Sequence, residues 1–177
     1  NNGNRTIDST SLPFFSEIGQ LSGISETDWS WSVLMADFDN DGWKDIQITN
    51  GIAKDLTNND FLFFRTAQSE EGKQNSSTNS AATLRKDLDA YGSIKINNYF
   101  YHNNGNLTFS NTTQQAGMDV SSVSHGAVYA DLDNDGDLDM VMNNMNQEAF
   151  VWRNELRRTA TDSTHNYLSI ELTGTNL

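Results

Sequence analysis

A nine-residue acidic pattern, written twice, constrains this chain more than any other feature. The first copy is DFDNDGWKD, Asp37 to Asp45, and the second is DLDNDGDLD, Asp131 to Asp139. Both place carboxylates at positions 1, 3, 5 and 9, Asn at 4 and Gly at 6. Calcium takes six to eight hard oxygen ligands at about 2.3–2.6 Å, and alternate residues of a tight loop can converge on one point. The glycine allows a sharp reversal, and the residue after it can offer a backbone carbonyl. The pattern therefore predicts two calcium sites, one held by Asp37, Asp39, Asp41, Trp43 and Asp45 and the other by Asp131, Asp133, Asp135, Asp137 and Asp139.

Repulsion argues for the same ion. At an effective dielectric of about 20, two like charges roughly 5 Å apart cost on the order of 3 kcal/mol. A loop without a counter-ion would rather open. A lone DxDG is more often an ordinary solvated turn, but here the full pattern occurs twice. An EF-hand is excluded, because its loop needs a Glu at position 12 and a helix on each side; position 12 is Ile48 in one copy and Met142 in the other. The segment after the first loop alternates as a strand does, Ile46 and Ile48 against Gln47 and Thr49. The segment before it also has period two, with Trp29, Trp31, Val33 and Met35 opposite Ser30, Ser32, Leu34 and Ala36. The loop is expected to join two strands, with Trp29 and Trp31 in the core between neighbouring sheets.

These residues resemble the FG-GAP or VCBS repeats of integrin-alpha-like β-propellers, which carry DxDxDGxxD between the first two strands of a blade. SHGAVYADLDNDGDLDMVMNN, Ser124 to Asn144, looks like a complete example. The literal FG-GAP string is replaced by His125-Gly126-Ala127 and, in the first unit, by Ser32-Val33-Leu34. A narrower resemblance is to proteins that join VCBS repeats to an ASPIC/UnbV domain, the cartilage acidic proteins among them. It rests on TDWSWSVLMADFDNDGWKDIQITNGIAKDLTNNDF, on NYFYHNNGNLTF and on the closing HNYLSIELTGTNL. The resemblance implies an all-β fold: a partial β-propeller of about two blades carrying a helical and loop insertion.

The loops also serve as alignment marks for a longer repeat. Asn1-Asn2-Gly3-Asn4 recurs as Asn103-Asn104-Gly105-Asn106, each followed by a Phe-Ser step, Phe15-Ser16 or Phe109-Ser110. A third unit begins at Val151-Trp152-Arg153-Asn154, which matches Phe100-Tyr101-His102-Asn103. Asn104-Gly105 between two apolar runs predicts a type I′ hairpin. From first Asp to the next matching Asn is 23 residues in the second unit and 66 in the first, so the first holds about 43 more. That insert, about 52–97, predicts helical stretches near 58–68 and 80–90 around the polar run SEEGKQNSSTNS. It reads first as a lid over one blade and second as a binding loop. Repeats are thus expected over 1–155, and a linker with the first strand of an ASPIC/UnbV-like domain over 156–177. The chain starts inside a repeat, without an initiator Met, so a piece of a longer protein is expected, with the remaining blades as its partners.

The net charge of −13 argues against nucleic acid and anionic membrane surfaces as partners. Nine of the 24 acids lie in the two loops, and one divalent ion in each would bring −13 to −9. No window approaches the roughly 20 apolar residues of a membrane span. There are no cysteines, so redox compartment is not legible. Loops of this kind commonly draw on millimolar free calcium, which favours a secreted or cell-surface protein, such as one on the outer surface of a bacterium.

Signals for catalysis are thin. The histidines are His102, His125 and His165, and strand or blade packing accounts for each. A calcium ion held by four carboxylates and a carbonyl lacks the open position that metal-assisted hydrolysis needs. Trp43 is kept as a ligand contact whose ring reaches the surface. The expected role is a calcium-binding scaffold for adhesion to an extracellular protein or glycan, not an enzyme. The alternative is a calcium-dependent polysaccharide lyase or hydrolase on a propeller, which the scarcity of Lys and Arg, 11 in all, disfavours.

Overall fold

The computed structural model describes residues 3–7, 10–54, 92–156, 168 and 170. In chain order these form β1 (Asn4–Ile7), β2 (Thr10–Pro13), the short helix α1 (Gly19–Ser22), β3 (Ser30–Ala36) and β4 (Asp45–Asn50). Then come β5 (Ile96–Asn97), β6 (Tyr99–Asn103), β7 (Phe109–Asn111), β8 (Ser121–Ser122), β9 (Ser124–Ala130), β10 (Asp139–Asn144) and β11 (Phe150–Trp152). Strands β3, β4, β6 and β7 lie in that order in a four-stranded antiparallel sheet. Strands β9, β10 and β11 repeat its first three positions. Two such sheets packed face to face, with the first strands of each side by side, are two blades of a propeller, so the all-β partial-propeller expectation holds. Each acidic loop joins the first two strands of its blade.

The insert enters the first blade between β4 and β6. Its ends are tied by a bridge between Ile52 and Ile94 and by pairing of β5 with β8, Ile96 opposite Ser122. A strand can therefore leave the sheet for tens of residues and return in register. The helical stretches expected near 58–68 and 80–90, and nearly all of 156–177, lie outside the described residues.

Between the blades sits the core. Ala36, Phe38, Met118, Met140 and Met142 are buried together, with Leu34, Phe100, Ala127, Leu138, Phe150 and Trp152 packed around them. Phe38 meets Phe100 and Tyr129 edge-on, at ring separations of 5.5 and 5.8 Å. The face of β3 turned inward is thus that of Leu34 and Ala36. This corrects the expectation for the tryptophans: Trp29 and Trp31 are exposed, and Val33 beside them is 59% exposed. Period two sets which residues share a face, not which face meets the neighbour. Trp31 is anchored all the same, its Nε1 donating to Gly51 O at 2.6 Å and its ring lying 4.6 Å from that of His125.

Strand β4 is buried on both faces. Gln47 and Thr49, which a half-buried strand would turn to water, are fully covered, and Gln47 Nε2 meets the Met142 sulfur at 3.7 Å. Gly51 comes next with φ +112, where a Cβ would stand 2.4 Å from Ser122 O. Only glycine fits so close a backbone crossing at that φ.

Two repeat expectations change in detail. Strand β6 ends at Asn103 and β7 begins at Phe109, with Asn103 opposite Phe109. The connection is therefore a longer loop with positive φ at Gly105 and Leu107, not a two-residue type I′ turn. Asparagine side chains supply the turn's acceptors: Asn103 Oδ1 receives Gly105 N–H and Asn106 Oδ1 receives Thr108 N–H. At the other end, β1 pairs with β2, Asn4 opposite Pro13 and Ile7 opposite Thr10; Asn1 and Asn2 of the first Asn-Asn-Gly-Asn copy lie outside the described residues. The Phe109-Ser110 step gains its place by pairing with β6; among the described residues no strand stands there for Phe15-Ser16.

Candidate metal centres in the two acidic loops

Both loops are folded by the same side-chain to backbone bonds. The position 1 carboxylate caps the amides of positions 5 and 6: Asp37 accepts from Asp41 N at 3.0 Å and Gly42 N at 2.9 Å, and Asp131 from Asp135 N at 3.1 Å and Gly136 N at 3.0 Å. The position 5 carboxylate accepts the amide of position 7, Trp43 at 2.7 Å and Asp137 at 3.0 Å. Position 4 takes a left-handed conformation, Asn40 at φ 57 and Asn134 at φ 59, and Gly42 and Gly136 adopt φ 93 and 91 two residues later. Asparagine and glycine are the residues that enter this region at low cost. The sequence pattern thus builds the loop before any ion is considered.

Position 9 is a clamp on the blade. Asp45 accepts from Phe38 N at 3.2 Å inside its loop and from Asn103 N at 2.9 Å on the third strand. Asp139 does the same with Leu132 N at 3.0 Å and Asn154 N at 2.8 Å. Both carboxylates are buried. The Asn103 and Asn154 side chains close the other half: Asn103 Nδ2 donates to Lys44 O at 2.9 Å, and Asn154 Nδ2 donates to Phe38 O of the other blade at 2.7 Å. A further interblade bond joins Asn40 Nδ2 to the buried Asp137 carboxylate at 3.0 Å.

The carboxylates converge differently in the two loops. In the second, ligand atoms of Asp131, Asp133 and Asp139 lie within 4.8 Å of one another; in the first, those of Asp39, Asp41 and His102 do. Asp37 stays with its amide caps, and Asp135 with Asp137 N. His102 is the residue that sequence reasoning passes over, because a role in strand packing suffices to account for it. Its Nδ1 stands 3.1 Å from Asp39 Oδ2 and 3.4 Å from Asp45 Oδ1. The signal lies in the repeat alignment, which places His102 opposite Arg153; Arg153 Nη1 is 3.7 Å from Asp133 Oδ2 and also pairs with Glu155. His125, by contrast, packs between the blades against Trp31.

Crowding shows in the acidities. Burial pushes the Asp45 carboxyl up to about 6, and the nearby Asp39 charge adds to this, while the Asn103 and Phe38 amides and His102 pull it back. Asp39 is raised as well, by burial and then by Asp41, with His102 opposing. These are groups a cation would relieve. Carboxylate oxygens make up the donor set of both loops and suit a hard divalent ion. A cavity of about 520 Å³ between the blades opens beside the first loop, with Phe38, Phe100, Met140 and Trp152 as apolar lining and Asp39, Asp45 and His102 at its edge. Trp43 remains exposed, its indole lying over the Gly105 turn, where a Cβ would meet Nε1 at 3.1 Å.

With that geometry in place, the comparison with known families is specific. Residues 86–142 match the FG-GAP-like repeat. The match runs from the return of the insert through β6, β7 and the second loop into β10, about a third of the chain. The chain is similar to a propeller-type scaffold there, and the first blade repeats the same loop and strand order. No curated protein matches the chain.

Proposed function

We propose that this chain is a calcium-stabilised propeller segment of a secreted or cell-surface protein that serves as a binding or adhesion scaffold for an extracellular protein or glycan. The observation that carries the reading is the position 9 clamp. In both loops the carboxylate that would hold the ion also bonds an amide at the end of the third strand or just past it, so ion binding and blade integrity share one residue. Asp37, Asp39, Asp41 and Asp45 would hold the first ion with the Trp43 carbonyl, and Asp131, Asp133, Asp135 and Asp139 the second with the Asp137 carbonyl. The ion supplies charge neutralisation, and the chain supplies a preformed cage.

Further blades of a longer chain suit the two outer faces. Val33 and Met35 on one side, and Val128 and Val151 on the other, are more than half exposed, which is costly for isolated apolar sheet faces. Among the described residues no helix is long and apolar enough to cross a membrane. Thermal melting with chelator and with restored calcium tests the metal part: a lower melting temperature on chelation and full recovery are expected, and identical melting overturns it. A panel of glycans and matrix proteins tests the scaffold part: saturable binding without turnover is expected, and turnover of a polysaccharide overturns it.

A further inference from the structure

The two loops share their backbone bonds but not the basic residue that faces them. At the same repeat position, β6 presents His102 to the first loop, and Arg153, just past β11, faces the second. An arginine stays protonated and has no lone pair to give a metal, so Arg153 can only balance charge beside Asp133. A neutral imidazole has one free ring nitrogen and is among the commonest metal ligands in proteins. His102 Nδ1 points at two carboxylate oxygens, 3.1 Å from Asp39 and 3.4 Å from Asp45. That nitrogen can face two anionic oxygens only with a proton or a cation between them. Its distances to the Asp39 and Asp41 donor atoms fall within the 4.8 Å span of a shared ion.

We infer that the first loop is a mixed nitrogen and oxygen centre, in which His102 joins Asp39, Asp41 and Asp45 to hold a first-row divalent cation of the zinc class more tightly than calcium. The second loop, all oxygen, keeps calcium. This rests on the reading of both loops as metal sites and divides them by ion. Imidazole suits zinc and cobalt, whereas calcium selects oxygen donors. The interblade cavity borders Asp39, Asp45 and His102, so a cation can reach the first loop from that side.

The test is a residue swap read by competition. The purified chain is titrated with Zn²⁺ and with Co²⁺ against calcium, and the histidine ring signals are followed by NMR. In the parent chain one zinc site and a shift of the His102 ring nitrogens are expected. His102→Arg, which gives the first loop the second loop's residue, should weaken that zinc site at least about tenfold. It should leave calcium uptake by the second loop unchanged, which also reports that the variant is folded. Arg153→His should create a second zinc site. Unchanged zinc affinity in His102→Arg overturns the inference, with zinc then bound elsewhere or His102 only positioning Asp39. Calcium held at the first loop in preference to zinc, with calcium also at the second, sinks this inference alone. Zinc uptake that depends on His102, with calcium at neither loop, supports it while overturning the calcium reading.

Discussion

The first and second acidic loops are the same object in different surroundings. Their amide caps, left-handed asparagines and position 9 clamps coincide bond for bond. Their neighbours do not: the first borders a histidine, and the second an arginine that is itself paired to Glu155, with both basic residues lining one cavity. Their interblade bonds are also unlike, because Asn40 reaches across to Asp137 while Asn154 reaches back to Phe38. Nine residues suffice to set a cage, whereas the chemistry of the cage is set by whichever strand is folded against it.

The largest test of that equivalence is removal of the ion. If both loops hold calcium as proposed, free calcium at about 100 times the dissociation constant would make each site add roughly 2.7 kcal/mol. Losing both should lower the melting temperature by on the order of 10 °C. Asp133→Ala should remove about half of the calcium-dependent shift and Asp39→Ala the other half; a shift abolished by either alone would mean that the loops act as one unit. Next in size is Gly51→Ala, expected to cost about 2 kcal/mol or more in chemical denaturation. The added methyl would meet Ser122 O at a φ that disfavours alanine. Wild-type stability there would break the account of how the end of β4 passes the strand that leads into the second blade.

Finer comparisons separate the loops. Asn40→Ala and Asn134→Ala carry the same left-handed backbone cost, but Asn40→Ala also removes the bond from its Nδ2 to the buried Asp137 carboxylate. Asn40→Ala should therefore be the more destabilising by about 1.5 kcal/mol, a bond to a charged and buried acceptor. Smallest is the difference between Asn154→Ala and Asn103→Ala: each loses a bond to the position 8 carbonyl and one amide accepted by its Oδ1, and Asn154 also loses its bond to Phe38 O. Each should cost at least about 1 kcal/mol in chemical denaturation.

Much of the architecture was readable from spacing. The Asp ladder with Asn at 4 and Gly at 6 determines a loop whose caps are local, and local bonds do not depend on distant packing. The alignment of Asn103 with Asn154 paired two residues whose amides the structure shows bonded to the position 9 carboxylates. Less readable were residues whose role depends on a partner far along the chain. Trp31 and Val33 carry the right alternation for a core face, yet Leu34 and Ala36 face the second blade instead. His102 looked like a packing residue because nothing near it in sequence is acidic, while Asp39 is more than sixty positions away.

Taken by itself, the chain determined its period, the two cages, their asparagine and glycine turns and the break that admits the insert. These arise from steric limits on single residues and from bonds between close neighbours. Only the tertiary structure decided which face of each strand is buried, which basic group stands beside each cage and which asparagines tie the blades. Those choices depend on how two sheets pack, and a period-two pattern is symmetric with respect to that choice until a second sheet breaks the symmetry.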